Sequence, residues 1–379
     1  MPYFVGRPAS LIHVKDFTLL LFNLLGAALG HGKYTFALFL VLTASYRHLL
    51  HPLRNYPGPL FAKLTDAYAG LFAVQERLHL VFLRLHGKYG MQMLETPLQG
   101  QHAFISITDD LSGSVIRPAT NRLLFNSPSA FRAIYQNDDR ITKSFTYEMM
   151  TRNGVYSVFN TLDRDLHRYK RQIAGQAFSP RSIRSFEPAL QSQVDAYLEQ
   201  ILGSSGQPVN MIEKPGHLAA DVFGQLALGY ELATQTREEN RFLPKFMKFS
   251  FFLASITHHI PPFYRVHTNW VFDYIFYNTR EKFNRLLTKM VRSRLAMDTH
   301  AVPDFFSFVS EKLPSEAAKT RDSAIWEEAL VFLAGGADSV TTAMAAAFFY
   351  LPRNPECYKR LADEIRTTFA NSTDIRGGP

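Results

Sequence analysis

The residues best suited to chemistry stand together as Gly335-Gly336-Ala337-Asp338-Ser339, a polar knot inside a largely apolar run that begins after Glu327 and Glu328 and reaches Tyr350. Adjacent glycines in a helix interior cost about 1 kcal/mol each relative to alanine, and an acid beside a hydroxyl needs partners when buried. Two readings account for them. In one, a long buried helix opens locally over a cofactor: Gly335 and Gly336 permit close approach, and Asp338 and Ser339 relay protons. In the other, the glycines end one helix, and Asp338 or Ser339 caps the next.

A second pair, His167 and Arg171, is spaced four apart, so both side chains leave the same helix face. Such a pair suits an anionic group through charge-assisted hydrogen bonds, and the same spacing also describes a merely solvated basic face. Metal chemistry finds no ligand set. His258 and His259 are adjacent and do not give the spacing of a zinc site, and the single cysteine, Cys357, rules out an internal disulfide framework. Phosphate loops, the Gly-x-Ser-x-Gly elbow, His-Glu-x-x-His and the dinucleotide fingerprint are all absent.

The chain that must position these groups has 379 residues, 46% of them hydrophobic, enough for a substantial core. Its 41 basic and 33 acidic residues give +8, compatible with anionic lipid or an acidic partner. No Lys/Arg run interleaved with aromatics appears, so nucleic acid is not an expected partner.

After a lead over 1–16, the apolar runs Phe17–Gly30 and Tyr34–Tyr46 together exceed the ~20 residues of a spanning helix, so 17–46 reads as one tilted or kinked membrane anchor. Arg47, His48 and Arg54 beyond it place the following side in the cytosol. A hinge over 47–59 closes with Pro57-Gly58-Pro59, which cannot continue a helix. Within the body, 60–379, the spacing predicts a helix over Lys63–Tyr89, strand-turn-strand over Val115–Ser127, and a short helix after Ser127. An aromatic loop from Lys143 to Asn160 precedes the His167 helix. Further helices are predicted over Ile183–Leu202, Ala219–Leu232 and Tyr277–Met297. Residues 91–113 keep no period and read as an insertion, either translated intron or a surface loop.

Several features occur in an order that resembles the fungal microsomal cytochrome P-450 monooxygenases. They are the anchor with Tyr46-Arg-His-Leu-Leu-His-Pro-Leu-Arg-Asn-Tyr-Pro-Gly-Pro59, the paired strands, the helix carrying His167-x-x-x-Arg171 before Ala177-Phe-Ser-Pro180, and the Gly335–Ser339 knot followed by Arg353-Asn-Pro-Glu356. The resemblance implies a mainly α fold with a small β-sheet, read here as an incomplete cytochrome P-450 fold with an N-terminal membrane anchor. It implies haem held at its propionates by His167 and Arg171, with Gly335 and Gly336 leaving room above it and Asp338 and Ser339 delivering protons. It implies electrons from NADPH through a reductase, a lipophilic substrate, membrane lipid, and an endoplasmic reticulum location facing the cytosol.

Two family motifs are not found: Glu-x-x-Arg and the Phe-x-x-Gly-x-Arg-x-Cys-x-Gly loop that supplies the axial thiolate. Cys357 lacks the flanking glycines and reads as an ordinary thiol. The expectation is therefore an oxygenase of fungal secondary metabolism that is inactive as this truncated chain. The alternative is a non-catalytic anchored remnant or the product of a faulty gene model, with a transporter a distant third.

Overall fold

The computed structural model describes residues 32–89, 115–135, 141–151, 154–260, 274–298, 301–309 and 324–375. The chain divides into two compact units, Met1–Asp139 and Arg140–Pro379.

In the first unit, α1 (Gly32–Ser45) runs into a wider turn over Tyr46–Leu50. Tyr34, Phe36, Leu40, Val41 and Leu42 are exposed, so α1 is an apolar rod rather than a core helix. The first half of the expected anchor, and the insertion read at 91–113, lie outside the described residues.

Pro57-Gly58-Pro59 turns directly against the first strand. The Arg117 amide donates to Pro57 O at 2.7 Å, and a methyl group on Gly58 would overlap the Arg117 carbonyl, so only glycine suits the position. That strand, β1 (Val115–Ala119), pairs antiparallel with β2 (Arg122–Phe125), with Val115 opposite Phe125 and Ile116 opposite Leu124. The expected strand-turn-strand is thus present, and Ser127 starts α5 (Pro128–Tyr135) by accepting from the Ala130 amide.

The single helix expected over Lys63–Tyr89 is instead three: α2 (Leu60–Leu64), α3 (Ala67–Val74) and α4 (Leu78–Tyr89). Thr65 is extended and Glu76 has φ 55°, so the chain breaks twice. At the first break the Asp66 carboxylate accepts from the Thr120 amide and hydroxyl, a partner 54 residues away. A long-range bond of this kind leaves no trace in apolar spacing.

The second unit is helical: α6 (Arg164–Ala177), α7 (Pro180–Leu202), α8 (Glu213–Leu228), α9 (Phe242–His259), α10 (Tyr277–Leu295), α11 (Phe305–Val309), α12 (Ala324–Tyr350) and α13 (Pro355–Thr368). Caps fix the starts of the first two: Asp163 accepts from the Leu166 amide, and Ser179 from the Ser182 amide. Helix α8 begins six residues before the predicted Ala219 and stops at Leu228, because Gly229 turns left-handed at φ 57°. The core joins Ala220 and Leu228 to Leu243, Phe283, Leu287, Met290, Trp326, Ala329 and Leu333, so α8, α9, α10 and α12 pack as one cluster. Arg294 and Asp304, both fully buried, form an ion pair that ties the end of α10 to the start of α11.

Helix α12 is continuous for 27 residues, which overturns the stop-and-start reading of its glycines and gives no break at the knot. By length and apolarity its span Ile325–Arg353 matches a membrane helix. Its first half nevertheless lies in the core, with Trp326, Glu327, Glu328 and Leu333 buried, and that packing marks a core helix.

Candidate functional site

Two clusters make up the site, one on α12 and one around α6. On α12 the two glycines face different surroundings. A side chain at Gly335 would meet nothing within 4 Å, whereas one at Gly336 would overlap the ring of Phe223 on α8. Gly336 therefore serves helix packing, and open space belongs to Gly335. That is a correction to the reading in which both glycines leave room for a cofactor.

Asp338 and Ser339 follow on exposed positions of α12. The Ser339 hydroxyl lies within hydrogen-bond distance of two carbonyls of the preceding turn, Gly335 O at 3.1 Å and Gly336 O at 3.2 Å. Its oxygen remains free to accept, and handing on a proton requires the hydroxyl to turn away from the helix. Thr341 and Thr342 donate in the same way to Ala337 O and Asp338 O, as side chains that only back-bond do.

Around α6 the structure brings together His167, Arg171 and a third basic residue, Lys143. Burial holds the His167 pKa below its ordinary value, and the nearby charges of Lys143 and Arg171 lower it further. Lys143 is lowered by burial and then by Arg171. Its ammonium donates to Val158 O at 3.1 Å and Phe159 O at 2.7 Å, both neutral partners. Among the described residues no carboxylate pairs with any of these three groups. Cations gathered at such a spot repel one another and lower the cost of binding an anion.

The two clusters are joined by a residue that apolar periodicity does not single out. Glu328, near the start of α12, accepts from Lys170 Nζ on α6 at 2.9 Å, with 8% and 11% of the two side chains exposed. The same carboxylate accepts from the Val158 amide at 3.0 Å and 3.2 Å. Lys143 was also invisible as a site residue, since only its position in an aromatic stretch marked it. Within that stretch a tight turn over Phe145–Met150 places Tyr147 against Phe159 at 5.2 Å and against His258 of α9 at 5.8 Å.

The residues suit a planar dicarboxylate cofactor in two respects. Lys143 and Arg171, joined by His167 when it is protonated, have no carboxylate partner among the described residues, and Gly335 leaves an uncovered stretch of helix surface. They do not supply a thiolate: Cys357 is exposed in the first turn of α13.

A family model described as Cytochrome P450 matches residues 116–376. Among curated proteins, the chain is similar to cytochrome P450 monooxygenase AKT7 of Alternaria alternata, 27% identical over 88% of this chain and 61% of that one. It is likewise similar to apf7 of Gibberella fujikuroi, at 25% over 89% and 64%, and to poxM of Penicillium oxalicum, at 26% over 90% and 64%. The chain thus spans less than two thirds of the length of these relatives. Among solved structures, retinoic acid-bound cyanobacterial CYP120A1 matches with TM-score 0.50 and 16% identity, over 68% of this chain and 56% of that one, a likeness of fold.

Proposed function

The chain belongs to the cytochrome P450 family, and from that premise we propose that it carries the distal half of the haem site of a fungal monooxygenase of secondary metabolism acting on a lipophilic small molecule. The observation that carries this reading is the basic group Lys143, His167 and Arg171, close together and without a carboxylate partner among the described residues. Haem held by a cysteine thiolate supplies dioxygen activation and takes electrons from NADPH through a reductase. The residues of this chain do the rest. Lys143 and Arg171 bind carboxylates as fixed charges, and His167 joins them when protonated. Gly335 keeps the surface of α12 clear of side chains. Asp338 takes protons from solvent, and Ser339 passes them on by exchanging its helix bond for one to the reacting group.

The exposed apolar face of α1 supports a location on the endoplasmic reticulum membrane, with the body in the cytosol and membrane lipid as a partner. A second reading, a non-catalytic anchored remnant, is supported by Cys357, the only cysteine of the sequence, which is exposed on α13, away from Gly335 and the basic group in sequence and without flanking glycines.

The decisive experiment is a reduced, carbon-monoxide difference spectrum, recorded for this chain and for the product of the gene sequenced past Pro379. A thiolate-type Soret band from the longer product, and none from this chain, is the expected result. Such a band from this chain would overturn the second reading, that of a non-catalytic remnant. No haem uptake by either would overturn the haem reading.

A further inference from the structure

We propose that Glu328 is a positioning residue for the anionic site: it holds the two segments that present Lys143, His167 and Arg171 in register with each other and with α12. This inference rests on the reading of those cations as a carboxylate site.

The geometry is a chain of short contacts. Residues 157–161 form a self-closed loop, in which the Ser157 amide donates to Asn160 Oδ1 at 2.7 Å and the Thr161 hydroxyl to Ser157 O at 2.6 Å. Two groups grip this loop. Glu328 binds the Val158 amide from the α12 side, and Lys143 Nζ binds the Val158 and Phe159 carbonyls. The carboxylate oxygen nearer the Val158 amide, Oε1, also accepts from Lys170 Nζ, and Lys170 precedes Arg171 and follows His167 by three positions on α6. One buried carboxylate thus fixes both the loop that seats Lys143 and the helix that carries the other two cations. Glu328 lies seven residues before Gly335, two helical turns or about 10 Å along the axis, so the same contact sets the cations relative to the open stretch of α12.

A purely stabilising role is a weak explanation for such a pair. Desolvating two charges consumes most of their attraction, and apolar residues of the same volume often do as well. A buried pair does gain geometric definition, because it is satisfied in one arrangement only. Besides Lys170, Glu328 keeps one further partner, the Val158 backbone amide.

The test uses the full chain in detergent, as wild type, Glu328→Gln, Lys170→Met and the double variant. Each is titrated with hemin and with hemin dimethyl ester, in which both carboxylates are masked, and the preference for the acid over the ester is the readout. In parallel, acylation of Lys143 is measured by mass spectrometry relative to Lys214 on α8, which is also half-buried and donates to Gln200 Oε1 at 2.8 Å. A loss of fold would raise both lysines together, so the ratio isolates Lys143.

The expected result is a folded Glu328→Gln chain whose preference for hemin over its ester falls roughly tenfold, as for other outer-shell positioning partners. Lys143 should become several-fold more reactive relative to Lys214. A folded variant with both readouts unchanged would overturn the proposal. If wild type does not distinguish hemin from its ester, the carboxylate reading fails, and an unchanged lysine ratio would then refute the positioning role as well. If Glu328→Gln does not fold, the double variant, which removes both buried charges, is measured in the same way. Unfolding of both would show that the pair serves the fold, and would also overturn the proposal.

Discussion

The ring of Phe223 on α8 lies against the Cα of Gly336 on α12, while Gly335, one residue earlier, faces open space. Neighbouring glycines thus do different work, and substitution separates them. Gly336→Ala must displace an aromatic ring in the main core and should destabilise the second unit by about 1–3 kcal/mol. Gly335→Ala meets nothing, and exchanging glycine for alanine inside a helix should stabilise it by up to about 1 kcal/mol. Denaturant unfolding of the two variants checks the contrast. Equal and small effects would contradict the packing role of Gly336.

In the first unit, Arg117 is fully buried and donates to Leu53 O at 3.1 Å and to Thr120 O at 2.7 Å. Its guanidinium therefore ties the turn before Gly58 to the β-hairpin. Arg117→Lys keeps the charge and loses the planar fork, so it should destabilise nearly as much as Arg117→Met, by about 2–4 kcal/mol. Limited proteolysis between His51 and Leu64 reports the loosening, and a Lys variant as resistant as wild type would show that charge alone suffices.

How much of this was legible in the sequence depends on the range of the interaction. Helix α10 follows local spacing with no side-chain cap, α6 carries the His167–Arg171 pair and starts at its Asp163 cap, and the hairpin follows its turn residues, so short-range patterns locate them. The breaks around Asp66 and Glu76 do not, because Asp66 answers to Thr120 across the fold. The same holds at the site. His167 and Arg171 share one helix and were visible as a pair, whereas Lys143 and Glu328 acquire meaning only through partners 15 to 170 residues away. The two glycines read alike in the sequence, and only Phe223 tells them apart.

Asp338 is exposed and no side chain among the described residues bonds its carboxylate, so Asp338→Asn should leave folding unchanged. In the complete enzyme it should lower turnover by about 10²-fold, the usual contribution of a proton donor. Ser339→Thr keeps the hydroxyl and should retain most activity, and Ser339→Ala should not. Turnover measured beside the unfolding midpoint separates chemistry from stability; full activity in Asp338→Asn would remove it from the relay.

Phe348, Phe349 and Tyr350 at the end of α12 are exposed, and an apolar groove of about 520 Å³ between α6, α7, α8, α11 and α12 is lined by Phe178, Ile183, Phe223, Phe305 and Phe332. Apolar surface of this extent drives association in water. The chain expressed without residues 1–46 should still need detergent, as light scattering with and without it would show. A monodisperse monomer in plain buffer would contradict this expectation.

Acid should weaken the fold and strengthen anion binding, and histidines cause both effects. Burial is the largest cause lowering the pKa of His51, His86, His167 and His217. A histidine whose folded pKa lies below its unfolded value of about 6.5 takes up its proton more readily when unfolded. Its contribution to stability is complete above that value and is lost as pH falls through it toward the folded pKa. The unfolding free energy of both units should therefore decline as pH drops below about 6.5. An anion bound at Lys143, His167 and Arg171 reverses the sign locally. The bound carboxylate favours imidazolium, so binding takes up a proton, and hemin affinity should rise between pH 8 and pH 6, by at most about tenfold per pH unit. His167→Gln should flatten that rise while keeping most of the affinity supplied by Lys143 and Arg171. A pH dependence that persists in His167→Gln would mean that another group takes up the proton, and His167 would then lose its place at the site.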